Sequence, residues 1–353
     1  MPAETARHER TWMAFPVEGY TLGDDAASAH EARSAWASVA NAIVEFEPVT
    51  MVVDPTAVAD ARHYLSSEVE IVEAPLDDSW MRDIGPSFVV PAGGSSGGAR
   101  GRGPGLSETA GLGAVDWTFN GWGAQHWATW GNDREIGRFV GMAAGAEVVP
   151  SLLVNEGGAI HVDGLGTVLV TETVQLDAGR NPYSDRARVE AELTRTIGAT
   201  HVIWLPRGLT RDYEEFGTRG HVDMVASIPS PGVLLLHAQT NPEHPDFAVS
   251  QSLRAFLSGT TDAAGRAWEI VDLPAPSELR DDSGFVDHSY VNHLVVNGGV
   301  IACGFDDPVA DDRAAGILAS VYPGRRVVTL DARAIFARGG GIHCITQQQP
   351  ALP

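Results

Sequence analysis

"AIHVDGLGTVLVT" (residues 159–171), "SDRARVEAELTRTIG" (184–198) and "HVIWL" (201–205) place two short apolar runs, a helix pattern and a third apolar run in succession. The first two runs flank a glycine-bearing turn and read as a hairpin, while Ser184 reads as the cap of the amphipathic helix that follows. The same order recurs downstream. "VDMVAS" and "VLLLH" precede a helix near Asp246 to Leu257 and then "WEIVDL"; "YVNHLVV" and "VIAC" precede a helix near Val309 to Val321 and then "RVVTL". An upstream copy runs through "SFVV", "VDWTF", a helix near Asp133 to Ala144 and "EVV". A fifth closes on itself, with the helix from Ala26 to Phe46 and "VTMVV" flanked by "TWMAF" from the start of the chain and "IHCIT" from its end. Five such units predict an α/β fold in which neighbours bury each other's faces around an axis, one domain over residues 1–353. A doubly wound parallel sheet is the competing architecture, and the paired strands between helices argue against it. "AGGSSGGARGRGPG", residues 92–105, reads as a Gly-rich surface loop between strands, since neither GK[ST] nor a helix follows it.

With 46 acids against 24 bases, the formal charge is −22, which disfavours nucleic acid and anionic lipid as partners and suits cationic ligands. No apolar run reaches the length of a membrane span and the start lacks an export pattern, so a cytoplasmic enzyme is expected. Oligomeric state is not fixed by the sequence, and a homo-oligomer is compatible with it. Two cysteines, Cys303 and Cys344, cannot build a disulfide framework, so a free thiol is expected.

Chemistry gathers just before the first strand of four units: Asp83 in "WMRDIG", Glu156 in "NEGG", His221 and Asp223 in "RGHVD", and Cys344 in "GGGIHC". Singly, each has a plain structural reading, as a turn acid, a buried histidine or a core thiol. His161, in the similar "IHVDG", is assigned that structural role. At equivalent positions of a ring, however, the five would meet. A thiolate, an imidazole and carboxylates suit attack on a guanidinium carbon, because the planar cation presents a fork of N–H donors that two carboxylates can hold. Asp83 and Asp223 are the candidate clamp, Cys344 the nucleophile and His221 the general acid and base, with Glu156 orienting the imidazole. This chemistry calls for no metal or organic cofactor. Trp122, between glycines, is a candidate channel wall; Trp117 reads equally as wall or core.

Assembled, "TWMAFP", "DDSWMRDIGPSFVV", "VDWTFNGWG", "NEGGAIHVDGLGTVLVTE", "GHVD", "SYVN" and "GGGIHCITQQQP" make the chain resemble the agmatine deiminase family, within the guanidino-modifying enzymes that include peptidyl-arginine deiminases. The resemblance spans nearly the whole length. It implies a five-bladed α/β propeller of ββαβ units with pseudo-fivefold symmetry. It also implies cofactor-free hydrolysis of agmatine to N-carbamoylputrescine and ammonia, a step toward putrescine, with catalytic roles on Cys344, His221, Glu156, Asp83 and Asp223 and with Trp80 against the substrate. The chain departs from the family pattern at Arg219, where the family has an acid, at Met224, and in a last motif that lacks an Asn after its third glycine. Arg219 near the mouth would favour a carboxylated guanidine over the ammonium of agmatine. Deimination of another guanidine, amidino transfer, guanidine binding without turnover and a metallohydrolase using "IHVDG" and "GHVD" are the alternatives.

Overall fold

The computed structural model describes residues 1–91, 106 and 111–352, so the Gly-rich stretch 92–105 lies outside the described residues. Hydrophobic runs and helices alternate as the sequence predicts. Ile160–Val162 pairs antiparallel with Thr167–Thr171, and helix Arg186–Ile197 then carries the chain back so that His201–Leu205 lies parallel to Thr167–Thr171. A parallel neighbour needs such a crossover, whereas the hairpin needs only a tight turn. That turn is made by Asp163, whose side chain accepts the backbone N–H groups of Leu165 and Thr167, with Gly164 and Gly166 at positive φ.

The helix is capped by Asp185, not Ser184: the Asp185 carboxylate accepts the Arg188 N–H at 2.9 Å. The correction is one residue, and both side chains are good caps. Gly198, at φ 77°, ends the helix in the left-handed region. Val189, Leu193 and Ile197 form the buried face, at the four-residue spacing that keeps one side of a helix against a sheet.

Three further three-stranded sheets follow the same order of first, second and third strand, with the first pair antiparallel and the second parallel. Their first strands begin at Ser87, Ala226 and Leu294. The remaining unit joins the two ends of the chain. Thr346–Pro350 pairs antiparallel with His8–Ala14, helix Ala26–Ile43 leads to Val49–Val53, and Glu70–Glu73 adds a fourth strand.

Here the strand read as "IHCIT" is displaced. Residues 342–345 form a turn, and the strand starts at Thr346. The other units do likewise: a single helical turn precedes the first strand at Met81–Ile84, Gly157–Ala159 and Val222–Met224, and a further turn precedes Leu294. These turns lift their side chains out of the sheets. The apolar core divides into a large cluster and a smaller one containing Val115, Ile160, Val168 and Leu193. Trp117 belongs to the smaller cluster, its indole N–H donating to Ser87 Oγ, which settles it as core. Among the described residues, no helix is long and apolar enough to cross a membrane.

Candidate active site

All five pre-strand turns contribute to one buried cluster. Asp83, Glu156, His221 with Asp223, and Cys344 come from four of them, and the fifth supplies Asn292. Asn292 Nδ2 donates to Cys344 Sγ at 3.2 Å, its Oδ1 accepts the His343 N–H at 3.0 Å, and Asp223 Oδ2 lies 3.6 Å from the sulfur. Asn292 sits within the quoted "SYVN", at the position equivalent to the other four. That equivalence was the available signal.

Gly158 marks where the cluster converges. A Cβ there would lie 2.6 Å from His221 Nδ1 and 3.0 Å from both Asp223 Oδ2 and Asp83 Oδ1. A side chain would therefore fill the space among three functional groups. Gly340 is placed similarly: a Cβ there would meet Trp80 at 2.8 Å and Cys344 Sγ at 3.0 Å. Glycines at these two positions leave space beside the Cys344 sulfur and the acids. Trp80 is buried, with Gly340 between it and Cys344, and packs edge-on to Trp36. Trp122, at φ 55°, turns its indole so that Nε1 donates to Asp83 Oδ2 at 2.8 Å and its ring stacks on Trp127.

His221 holds Glu156 Oε2 through Nε2 at 3.3 Å, while Nδ1 is buried with no hydrogen-bond partner and faces Asp83 Oδ1 at 3.8 Å. Burial alone would lower the imidazole pKa. The surrounding anions Asp83, Glu156 and Asp223 outweigh it and raise the value to about 9. Burial pushes the Asp83 carboxyl up to about 6 against the pull of His221. Asp223 stays below the usual carboxylate range despite burial because His343 donates to it at 2.8 Å; its Oδ1 has no partner. His343 also bonds Glu4 Oε1 at 2.9 Å, and these two acids raise its pKa against burial and Arg82. Cys344 is pushed well above the ordinary thiol range by burial and by Asp223 and Asp83. His161 accepts the Ile228 N–H, in the structural role read for it.

Glu156 has a partner the sequence did not disclose. Arg180 Nε donates to both of its carboxylate oxygens, at 2.9 and 3.1 Å, and the remaining guanidinium nitrogens bind Asp177 Oδ2 and the Thr218 carbonyl. Burial would raise the Glu156 pKa, but Arg180 and then His221 hold it down. Arg180→Met leaves a buried carboxylate without its cation and is expected to destabilise the protein by about 3–5 kcal/mol. Denaturant unfolding measures this, and a loss below about 1 kcal/mol would mean that the pair is not structural.

Arg219, expected near the mouth, is exposed at φ 77°. Asp212 gathers the N–H groups of Thr218, Gly220 and His221 into the turn that aims His221 inward and leaves Arg219 outside. Among the described residues, no group of three or more His, Cys, Asp or Glu side chains is arranged to hold a metal ion.

Known proteins share this framework. A Streptomyces coelicolor chain is 55% identical over 99% of this chain and 98% of its own. The agmatine deiminase of Stutzerimonas stutzeri is 39% identical, covering 99% of this chain and 95% of its own. The structure of the agmatine deiminase of Enterococcus faecalis superposes with a TM-score of 0.88 at 29% identity, over 99% and 95% of the two chains. Residues 1–350 match the Porphyromonas-type peptidyl-arginine deiminases, and the chain belongs to that family.

Proposed function

We propose that this chain is a cysteine-dependent guanidine iminohydrolase that converts agmatine to N-carbamoylputrescine and ammonia. The relatives from S. stutzeri and E. faecalis carry the name agmatine deiminase. The observation that carries the chemistry is the convergence at Gly158 of the buried His221 imidazole with the Asp83 and Asp223 carboxylates, the second of which keeps its Oδ1 without a partner. A buried carboxylate oxygen without a donor is rare and costly, and a guanidinium supplies the missing N–H. The five units, taken as one domain, fit a propeller of five ββαβ blades, supported by the common strand order and by each unit's contribution to one site.

In the reaction, Asp83 and Asp223 clamp the guanidinium. Its positive charge offsets the two anions that suppress ionisation of Cys344, so the ligand itself favours the thiolate. The sulfur forms a bond to the central carbon and one C–N bond breaks. The thiol hydrogen is lost as the cation binds, and protonated His221 gives its own proton to the departing nitrogen, leaving ammonia, a neutral imidazole and a cationic amidino-cysteine. Water then adds to that carbon, His221 takes its proton, and the C–S bond breaks to return the thiol and release the urea. Glu156, fixed by Arg180, orients the imidazole through Nε2 and leaves Nδ1 toward the substrate. Trp80 and Trp122 wall the site.

Ammonia release screened over agmatine, arginine, guanidinobutyrate and peptidyl-arginine tests the assignment. Agmatine should give the highest kcat/KM, and turnover confined to another guanidine would reassign the substrate. The pH profile of kcat/KM should fall below about 6, as Asp83 gains a proton and loses its hold on the cation, and above about 9, as His221 loses the proton it delivers. A profile that keeps rising through pH 10 would contradict the role of His221 as acid.

A further inference from the structure

A cavity of about 470 Å³ opens immediately outside the catalytic turns. Gly339 lines it, and the next residue, Gly340, lies against Trp80 and Cys344. Asp212 lines it too, and that side chain holds the His221 N–H. The cavity is thus flanked by two of the segments that carry the cluster, the glycine run before Cys344 and the turn that holds His221. Its walls suit a short alkyl tail: Tyr20 stacks on Phe216 at 4.1 Å, and Phe336 lies in the same lining.

Its charge is one-sided. Arg211 is already paired with Asp281 at 2.7 Å, and the Asp212 carboxylate is occupied by the backbone of the 218–221 turn. Glu214 and Glu215 stand exposed at the rim, and Asp287 lies inside. Asp287 is only 9% exposed, and the cation that acts on its carboxylate, Arg211, is itself committed to Asp281. A desolvated carboxylate in such a place calls for a cation. Burial and the neighbouring Asp212 push it up to about 7 against the pull of Arg211, a penalty that a bound ammonium would relieve further. Arg219 does not line this cavity.

We propose that Asp287, assisted by Glu214 and Glu215, forms a tail subsite that holds the ammonium of a cationic guanidine and selects against carboxylated ones. The inference rests on the guanidine hydrolase reading above and adds the side chains that choose the substrate. It is tested with agmatine and 1-butylguanidine, which has the same alkyl chain without the ammonium, by comparing kcat/KM for ammonia release within each preparation. The ratio of agmatine to butylguanidine should exceed one in the native protein. It should fall roughly 10- to 100-fold in Asp287→Asn, the loss of one charge-assisted contact, and severalfold in E214Q/E215Q. Because the ratio is internal, partial misfolding cancels. An unchanged ratio in Asp287→Asn overturns the subsite while ammonia release from agmatine keeps the function reading. If Asp287→Asn yields no folded protein, an unchanged ratio in E214Q/E215Q overturns it. No ammonia from either guanidine with the native protein overturns both readings.

Discussion

Replacing Cys344 by alanine is expected to lower kcat for ammonia release at least about 10,000-fold, because loss of the nucleophile removes the covalent route altogether. Substrate affinity should survive. The clamp acids keep their positions without the sulfur: Asp83 is held by Trp122 and the Gly158 N–H, and Asp223 by His343. Calorimetric titration of the variant with agmatine should therefore show binding without turnover. Cys303 cannot replace the lost thiol. It is buried against the Asn292 carbonyl with its pKa pushed up to about 12, and Cys303→Ala should leave the rate unaltered. Acid quenching of the native protein during turnover should trap an amidino adduct on the peptide carrying Cys344. Activity above about one per cent in Cys344→Ala would place the chemistry elsewhere.

The strand and helix order was legible because burial imposes periodicity on every unit, and five repetitions of one order are hard to produce by chance. Residues fixed by short-range backbone demands were also legible: a Gly next to an acid or a thiol, repeated before successive strands, signals backbone approaching a ligand. What the sequence hid is of two kinds. Boundaries moved where a polar turn and a strand share composition, as at Ile342 to Thr346, since nothing local says that the backbone turns before it extends. Long-range electrostatic partners were invisible. Arg180 reaches Glu156 across 24 residues and Glu4 reaches His343 across 339, and no spacing rule links them. Arg219 is a mixed case: its neighbourhood in sequence to His221 was legible, but not that the turn gathered by Asp212 buries the histidine and leaves the arginine exposed.

His221→Asn is expected to lower kcat roughly 1,000-fold, within the range that a positioned acid and base contributes. Asparagine retains a donor toward Glu156 but can neither deliver a proton to the departing nitrogen nor take one from water. Both halves of the reaction should slow, so quenched mixtures should hold little amidino-Cys344. Accumulation of that adduct would instead restrict His221 to the hydrolytic half. The residual rate should also lose its alkaline limb near pH 9, since that limb belongs to the imidazole. Glu156→Gln separates charge from position: removing the anion lowers the His221 pKa, so the limb should move to lower pH while the nucleophile stays in place. A limb unmoved by Glu156→Gln would show that Asp83 and Asp223, not Glu156, set the protonation of the catalytic histidine.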